Sequence, residues 1–465
     1  MQLATPSETS QWRELFQPQY AASIVMLCLG VALFAFTTFL VSTALPSTVM
    51  ELGGAAYISW AQSLYLAFAI VSGVATAMLA QRFGTRRALF FATVIFMAGT
   101  LLCVFAPAMP VLLAGRTLQG LAAGFIEAQC YALIFVLFPQ RLASKVFGAE
   151  AVVWVTAAFA GPALAGFVTE SFGWRTAFAL SIPLALGFVL LAMRVAKSPQ
   201  TDVKVALFPG IRLGLVAASM ILITWASIVD PRAAAMMMLV ACMLIPTAAV
   251  IDRRAAQRLM PLAAFTFGVP HGLGFWVVVL MPVAEAASTV FLIYGLQHAF
   301  ALRPTVAGLV GSLIAISWSV TQIAVSTYAS EAMRRNMVWI GAWLLVLGLG
   351  LAALGFALGS LPLVALSLLP VGSAFGMNWG NLSELLIGAA APEERDRVAA
   401  LLPTAQTAGF GIGAALMGLI GNLAGFAEAS GPTDVQQVMV VVFTAATLIA
   451  LPAAFAAFRV VSVRR

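Results

Sequence analysis

Long hydrophobic runs, separated by short polar connections, extend over almost the whole chain. A bilayer has a hydrocarbon core of roughly 30 Å, which a helix of about 20 apolar residues crosses. The pattern therefore predicts fourteen transmembrane helices, although the seventh and eighth runs are alternatively a hairpin that does not fully cross. The predicted spans are 20–45, 57–80, 88–106, 109–138, 147–169, 175–196, 208–229, 233–251, 272–297, 305–328, 337–358, 361–388, 398–425 and 437–458.

The composition supports a membrane protein built only from helices. Of the 465 residues, 62% are hydrophobic and 9% are charged, too few charges to cover a soluble protein of this size. A backbone in contact with lipid must satisfy its own hydrogen bonds, which restricts spanning structures to helices and closed barrels. The runs lack the alternation of barrel strands. The predicted fold class is therefore all-α, a polytopic membrane protein.

The basic residues indicate the orientation of the chain. Twenty of the 24 Lys and Arg residues fall in the N-terminal segment, the C-terminal tail and the connections on the same side, and three fall in connections on the other side: Arg175, Arg232 and Arg303. Basic residues are concentrated on the cytoplasmic side of membrane proteins. This bias predicts a multi-pass protein of the bacterial inner membrane with both termini in the cytoplasm. The net charge of +7 is then explained by topology and by contact with lipid headgroups, and no nucleic acid is predicted as a partner.

Several kinds of chemistry lack the residues that they need. The cysteines lie inside apolar runs without CxxC or Cys/His spacing, so no metal site is predicted. No GxxxxGK[ST] loop is present for ATP, and no cofactor is predicted. The two histidines have no acidic or nucleophilic neighbour in sequence, so an enzyme is not predicted.

Glycine pairs suggest an internal repeat. Gly120 and Gly124 in the fourth run are matched by Gly372 and Gly376 in the twelfth. Transporters are commonly built from duplicated helix sets with a binding site between them. The repeat predicts two six-helix halves around an inserted helix pair. The predicted division is an N-terminal cytoplasmic segment 1–19, an N-terminal bundle 20–198, a linker with two extra helices 199–260, a C-terminal bundle 261–458 and a cytoplasmic tail 459–465.

Four motifs follow one another along the N-terminal half. They are Arg82, Gly84, Arg86 and Arg87 in the loop after the second helix, Arg116 to Gly120 in the fourth helix, Gly161, Pro162 and Gly166 in the fifth, and Gly173 to Arg175 before the sixth. Together they resemble the major facilitator superfamily and, within it, the fourteen-helix drug:proton antiporter branch. The resemblance implies two six-helix bundles of major facilitator type plus an inserted central helix pair. It also implies a gating loop for the first motif and an antiporter-type role for the third.

The resemblance implies a secondary active transporter that works by alternating access and exports small, amphipathic organic solutes in exchange for protons. Three residues depart from the branch: Thr37 and Gln81 stand where it has Asp, and Ala77 where it has Gly. An uncoupled facilitator or uptake carrier is therefore an alternative, and a non-transporting receptor or lipid scramblase is an alternative of another class. The predicted partners are a small-molecule solute, membrane lipids and, if transport is coupled, protons. The chain is predicted to be a monomer.

Ionisable side chains at membrane depth are costly, so each one is a candidate site residue. Arg116, Gln119 and Glu127 share one face of the fourth predicted helix, with Arg116 and Glu127 about 16 Å apart. They are predicted to line the solute or proton pathway. Alternatively, Arg116 only hydrogen-bonds backbone carbonyls of a neighbouring helix.

The C-terminal half offers a second set of candidates. Glu285 follows Pro282 in the ninth helix, where a kink frees backbone carbonyls, and it is the best remaining candidate for proton binding. Glu384 lies nearer the cytoplasmic end of the twelfth helix and is predicted to reach interfacial water. The further predicted pathway residues are Trp318, Asn378 and Trp379, which suit an aromatic cavity with a few hydrogen bonds.

Overall fold

The computed structural model describes residues 8–195, 209–255, 258–328 and 330–462. Helices make up 88% of the structure, and none of the described residues lies in a strand, which confirms the predicted all-α class. The N-terminal half contains α1 (Glu8–Leu15), α2 (Pro18–Leu52), α3 (Trp60–Phe83), α4 (Thr85–Val104), α5 (Met109–Leu137), α6 (Gln140–Phe172), α7 (Trp174–Ala179) and α8 (Ser181–Val195). Parts of the predicted N-terminal segment, linker and tail lie outside the described residues.

Ten further helices follow. They are α9 (Gly210–Ala226), α10 (Pro231–Arg254), α11 (Pro270–Ala287), α12 (Ile293–His298), α13 (Pro304–Gly311), α14 (Leu313–Tyr328), α15 (Glu331–Ala357), α16 (Leu361–Ala389), α17 (Arg395–Leu423) and α18 (Pro432–Ser462). Three predicted spans are interrupted: α7 passes into α8, α13 passes into α14, and a π-helical turn joins α11 to α12. The first predicted span ended before Pro46, but α2 continues through this proline to Leu52.

Thirteen helical segments of the described residues are long and apolar enough to cross a membrane. The helix α9 has 17 residues and is shorter than these segments, so the predicted count of fourteen is not confirmed. At 1.5 Å per residue it extends about 25 Å, which is less than the hydrocarbon thickness. The next helix begins at once, because the Asp230 side chain caps it by accepting from the backbone N–H groups of Arg232 and Ala233.

The matched glycine pairs hold corresponding helices together in the two halves. A Cβ at Gly120 would meet the backbone of Tyr65, so α5 touches α3 directly. A Cβ at Gly372 would likewise meet the backbone of Ile314, where α16 touches α14. Small residues permit such close helix contacts in membranes, where burial against lipid provides little driving force. The repeat seen in the sequence therefore corresponds to equivalent helix contacts in space.

The two halves meet at the end of the molecule away from the termini, called here the far side. The amide of Gln297, on α12, donates to the Thr43 carbonyl at 3.5 Å. The Asn422 amide, on α17, donates to the Ala56 carbonyl at 2.9 Å. These bonds join the N-terminal half to the C-terminal half, so the far side is closed in this conformation.

The short helix α9 packs against both halves. Its Thr224 hydroxyl donates to the Ser63 hydroxyl of α3 at 3.1 Å, and the Trp60 indole donates to Ser227 at 3.2 Å. From the other half, the Asn422 amide donates to the Ser227 carbonyl at 2.9 Å. The α9–α10 hairpin therefore lies on the boundary between α3 and α17.

Candidate transport pathway

Arg116 is fully buried in a polar network between α3, α4 and α5. Its Nε donates to the Ala61 carbonyl at 3.0 Å, and its Nη1 donates to Gln119 Oε1 at 2.8 Å. The Gln119 amide donates to the Thr100 hydroxyl at 2.9 Å, and the guanidinium lies 4.1 Å from the centre of the Tyr65 ring. The structure thus matches the alternative in which Arg116 bonds a neighbouring helix. A pathway role for Arg116 and Gln119 stays a prediction.

Glu127 lies with a second acidic residue that the sequence did not single out. Glu150, on α6, is 1% exposed, and neither of its carboxyl oxygens has a hydrogen-bond partner among the described residues. Glu127, on α5, is partly buried. Two acidic side chains therefore lie within the helices of the N-terminal half.

Glu150 was missed because the fifth span was predicted to begin at residue 147, which would put this carboxyl group at the membrane surface. The helix α6 in fact begins at Gln140, so Glu150 lies about 15 Å along it. Glu127 lies about 15 Å before the end of α5 at Leu137, on the same side of the membrane. The two residues therefore lie at the same depth in the membrane, and this equal depth was the signal in the sequence that could have linked them.

Aromatic side chains join the helices that carry Glu127 and Glu150. Trp154 lies one turn beyond Glu150 on α6, and the Tyr131 ring stacks on Phe147 of the same helix at 6.1 Å. The Trp154 ring also packs against Phe34 and Phe39 of α2, with centroid distances of 5.9 and 6.4 Å. These ring contacts therefore join α6 to α2 and to α5.

Glu285 lies at an irregular point of the C-terminal half. It is 6% exposed and accepts a hydrogen bond from the Thr289 hydroxyl at 2.8 Å. The predicted proline kink is accompanied by a π-helical turn over Ser288–Leu292, and the Ser288 hydroxyl is buried without a partner among the described residues. Such π-helical turns are frequent at functional sites. The position suits proton binding, which stays a prediction for Glu285.

Trp318 belongs to a row of aromatic rings in the C-terminal half. Its ring stacks on Phe375 at 4.9 Å, and Phe375 stacks on Phe410 at 6.2 Å. The Trp318 indole donates to Gln322 Oε1 at 3.1 Å. Phe410 in turn packs against the core of the N-terminal half. The row extends from α14 across α16 and α17 toward the other half.

The remaining candidates of the C-terminal half do not gather around Trp318. The Asn378 amide donates to the Val338 carbonyl at 2.8 Å, which ties α16 to α15. Trp379 is partly buried against the C-terminal core, and Glu384 is exposed. The structure therefore places Asn378 in a helix contact, and a pathway role for these three residues stays a prediction.

The loop between α3 and α4 has the tight turn that its motif implies. Gly84 has a φ of 80°, a backbone conformation that favours glycine. Arg82, Arg86 and Arg87 are exposed around it, and Arg86 Nη2 donates to the Arg194 carbonyl of α8 at 3.3 Å. The loop thus joins α3, α4 and α8 at the end of the molecule that carries the termini. A gating role stays a prediction.

The antiporter-type motif lies where the two halves touch. A Cβ at Gly166 would meet the Pro304 carbonyl, and one at Gly308 would meet the Pro162 carbonyl. Beside them, the Thr305 hydroxyl donates to Glu170 at 2.6 Å. Gly161 lies on the same helix and faces Phe39 of α2. The motif therefore permits close packing of α6 against α13 on the far side.

Replacing Gly166 by valine is expected to lower solute flux in proteoliposomes at least about fivefold, because overpacking by about 1–3 kcal/mol would disfavour the closed far side. The clash falls between the halves, so the yield of folded protein should persist. Gly388→Val is the matched control, since a Cβ at Gly388 meets no atom within 4 Å. Wild-type flux in Gly166→Val would contradict the interpretation.

A bundle of membrane-spanning helices with polar side chains buried inside it is typical of a membrane transporter. The family model described as Major Facilitator Superfamily matches residues 27–296, and the chain belongs to this superfamily. A protein of Mycobacterium tuberculosis (strain ATCC 25618 / H37Rv), named a probable multidrug-efflux transporter, is 29% identical over 465 residues, covering 90% of this chain and 91% of that protein. The prediction of a drug-efflux-like transporter rather than an enzyme is confirmed.

Solved structures of transporters have the same fold. A peptide transporter in complex with sulfate matches with a TM-score of 0.67 at 14% identity, covering 94% of each chain. A bacterial homologue of the human lysosomal transporter Spinster, in an inward-facing and occupied conformation, matches with a TM-score of 0.65 at 13% identity, covering 96% of this chain and 97% of that one. At these identities the likeness concerns the fold alone.

Proposed function

We propose that this transporter exports amphipathic organic solutes across the bacterial inner membrane in exchange for protons, with both termini in the cytoplasm. The observation that carries the coupling is Glu285, which is buried and receives one hydrogen bond from a neutral hydroxyl. An ionised carboxylate costs at least about 2.5 kcal/mol at membrane depth. Protonation of Glu285 removes that cost. When the side of the membrane from which water reaches Glu285 changes, the carboxyl group can take up a proton from one side and release it to the other.

Alternating access is supported by the contacts on the far side. The α6–α13 contact and the bonds of Gln297 and Asn422 close that side. These contacts lie between helices of the two halves, whose buried apolar residues form one continuous cluster there, so the proposed rocking must separate this surface. The proposed cycle exposes the interior to one side and then to the other.

The test is proton movement in proteoliposomes that contain a pH-sensitive dye. Addition of an amphipathic solute should dissipate an imposed pH gradient in the wild type. In Glu285→Gln, solute-driven proton movement should fall at least about tenfold, because the glutamine side chain cannot release a proton at neutral pH. Glu428→Gln is the matched control, since Glu428 is exposed and lies outside the predicted pathway.

The second candidate function is an uncoupled facilitator. Thr37, which stands where the drug:proton antiporter branch has Asp, is buried, and its hydroxyl has no partner among the described residues. If solutes cross the membrane in the wild type without moving protons, the protein is an uncoupled facilitator and the proposed exchange for protons is refuted.

A further inference from the structure

We propose that α1 and the start of α6 form a docking surface for the headgroups of anionic phospholipids in the cytoplasmic leaflet. The inference rests on the proposed function only for the choice of leaflet. Its first support is the position of α1, which ends at Leu15, whereas α2, the first helix able to cross the membrane, begins at Pro18. Three steps along the chain reach at most about 11 Å. The helix α1 therefore lies at the surface where α2 enters the bilayer.

Contacts with α6 fix the orientation of α1. The Leu15 side chain is fully buried in the core of the N-terminal half. Both carboxylate oxygens of Glu14 accept from Arg141 of α6, at 2.5 and 2.6 Å. A Cβ at Gly148, also on α6, would meet the Trp12 ring at 3.1 Å. The helix α1 is thus bound to α6, and the side chains outside these contacts are held at the surface of the protein.

The large side chains exposed on this surface are aromatic. Phe16, directly after α1, is 67% exposed, and Trp12 is 38% exposed although one edge of its ring faces Gly148. Tryptophan prefers the headgroup region of a bilayer, and helices that carry aromatic side chains beside basic residues lie in this interface. Since α1 lies at that depth, the two aromatic side chains indicate contact with lipid rather than with water.

Basic residues beside Trp12 select anionic lipids. Arg13 is exposed and follows Trp12, and the Lys145 ammonium group of α6 lies 5.6 Å from the centre of the Trp12 ring. Glu14 is paired with Arg141, so it does not cancel these two charges. Each basic residue near an anionic membrane surface strengthens the attraction about fivefold. Phosphatidylglycerol, whose headgroup has a net negative charge, therefore fits this surface better than phosphatidylcholine, which has none.

The docking surface is connected to the far side of the molecule through α6. This helix has 33 residues and extends about 50 Å. Its first turn binds α1 through Arg141, and near its other end Gly166 touches Pro304 of α13. Anionic lipid bound at α1 therefore holds one end of the helix whose other end closes the far side.

The test is the unfolding temperature of the purified full-length protein in detergent, titrated with phosphatidylglycerol or with phosphatidylcholine. A ligand that binds the folded state raises this temperature. Phosphatidylglycerol should raise it more than phosphatidylcholine in the wild type. In Arg13→Gln/Lys145→Gln, the phosphatidylglycerol concentration that gives half of the shift should increase at least about tenfold, and the response to phosphatidylcholine should not change. Each variant is compared with itself without lipid, so a lower starting stability does not affect the result.

Two controls separate this surface from general attraction to negative charge. Arg254→Gln/Arg397→Gln removes two exposed basic residues, on α10 and α17, and should respond to phosphatidylglycerol as the wild type does. Inorganic phosphate at the same concentration should cause no shift. A wild-type response in Arg13→Gln/Lys145→Gln would overturn the inference. So would an equal loss in the control variant, or a full shift with inorganic phosphate.

Failure of this inference is distinguishable from failure of the proposed function, because lipid binding is measured without transport. If solutes drive proton movement while Arg13→Gln/Lys145→Gln responds to phosphatidylglycerol as the wild type does, export stands and the lipid surface does not. If the variant loses this response but no solute moves protons in the wild type, the lipid surface stands and the exchange does not.

Discussion

Replacing Arg116 by leucine is expected to destabilise the protein by about 1–3 kcal/mol, because the carbonyl of the fully buried Gln119 loses its donor. The loss should appear as a lower unfolding temperature in detergent and as reduced yield. The double variant Arg116→Leu/Gln119→Leu should recover part of that stability, since removing both partners leaves fewer unpaired groups.

The same variants decide between the two interpretations of Arg116. If Arg116 serves the solute pathway, Arg116→Leu will keep its stability and lose transport. If Arg116 joins helices, stability will fall and the double variant will restore part of it. Arg459→Leu is the control, because Arg459 is an exposed arginine in the last turn of α18.

Gly372→Ala and Gly380→Ala are expected to act in opposite directions although both glycines lie on α16. A Cβ at Gly372 would meet the Ile314 carbonyl and the Ser317 hydroxyl of α14, while one at Gly380 meets no atom within 4 Å. Overpacking at Gly372 should cost about 1–3 kcal/mol. At Gly380, alanine should stabilise the helix by up to about 1 kcal/mol.

Unfolding temperatures of the two purified variants in the same detergent provide the measurement. A lower value for Gly372→Ala with an equal or higher value for Gly380→Ala supports direct backbone contact between α14 and α16. Equal values for both variants would show that the helices can separate enough to accept the methyl group, and the close packing would be refuted.

Much of the fold was predictable because lipid imposes a simple rule on sequence. A helix that crosses the hydrocarbon core needs a long apolar run, and each run of the described residues forms helix. The matched glycines at 120 and 372 indicated equivalent contacts, since only a small residue permits such an approach. Helix interruptions were less visible: Pro46 leaves α2 continuous, whereas the π-helical turn begins at Ser288, beyond Pro282 of α11.

The candidate site was harder to predict because partners come from other helices. The sequence placed Arg116 and Glu127 on one helix face, but it could not show that Arg116 bonds Ala61 of α3. Glu150 was overlooked because polar residues before residue 147 concealed the true start of α6. Asn378 was assigned to a cavity from its polarity, and its partner is a carbonyl of α15.

The position of α9 also decides how a hydrophobic solute reaches the interior from within the bilayer. Two bundles leave two lateral seams between them, one along α3 and α17 and one along α6 and α13. The hairpin covers the first seam through Thr224 and Ser227, which are bonded to α3 and α17. The second seam is packed on the far side, where Gly166 of α6 touches Pro304 of α13, so a compound dissolved in the membrane meets packed helices on both flanks there.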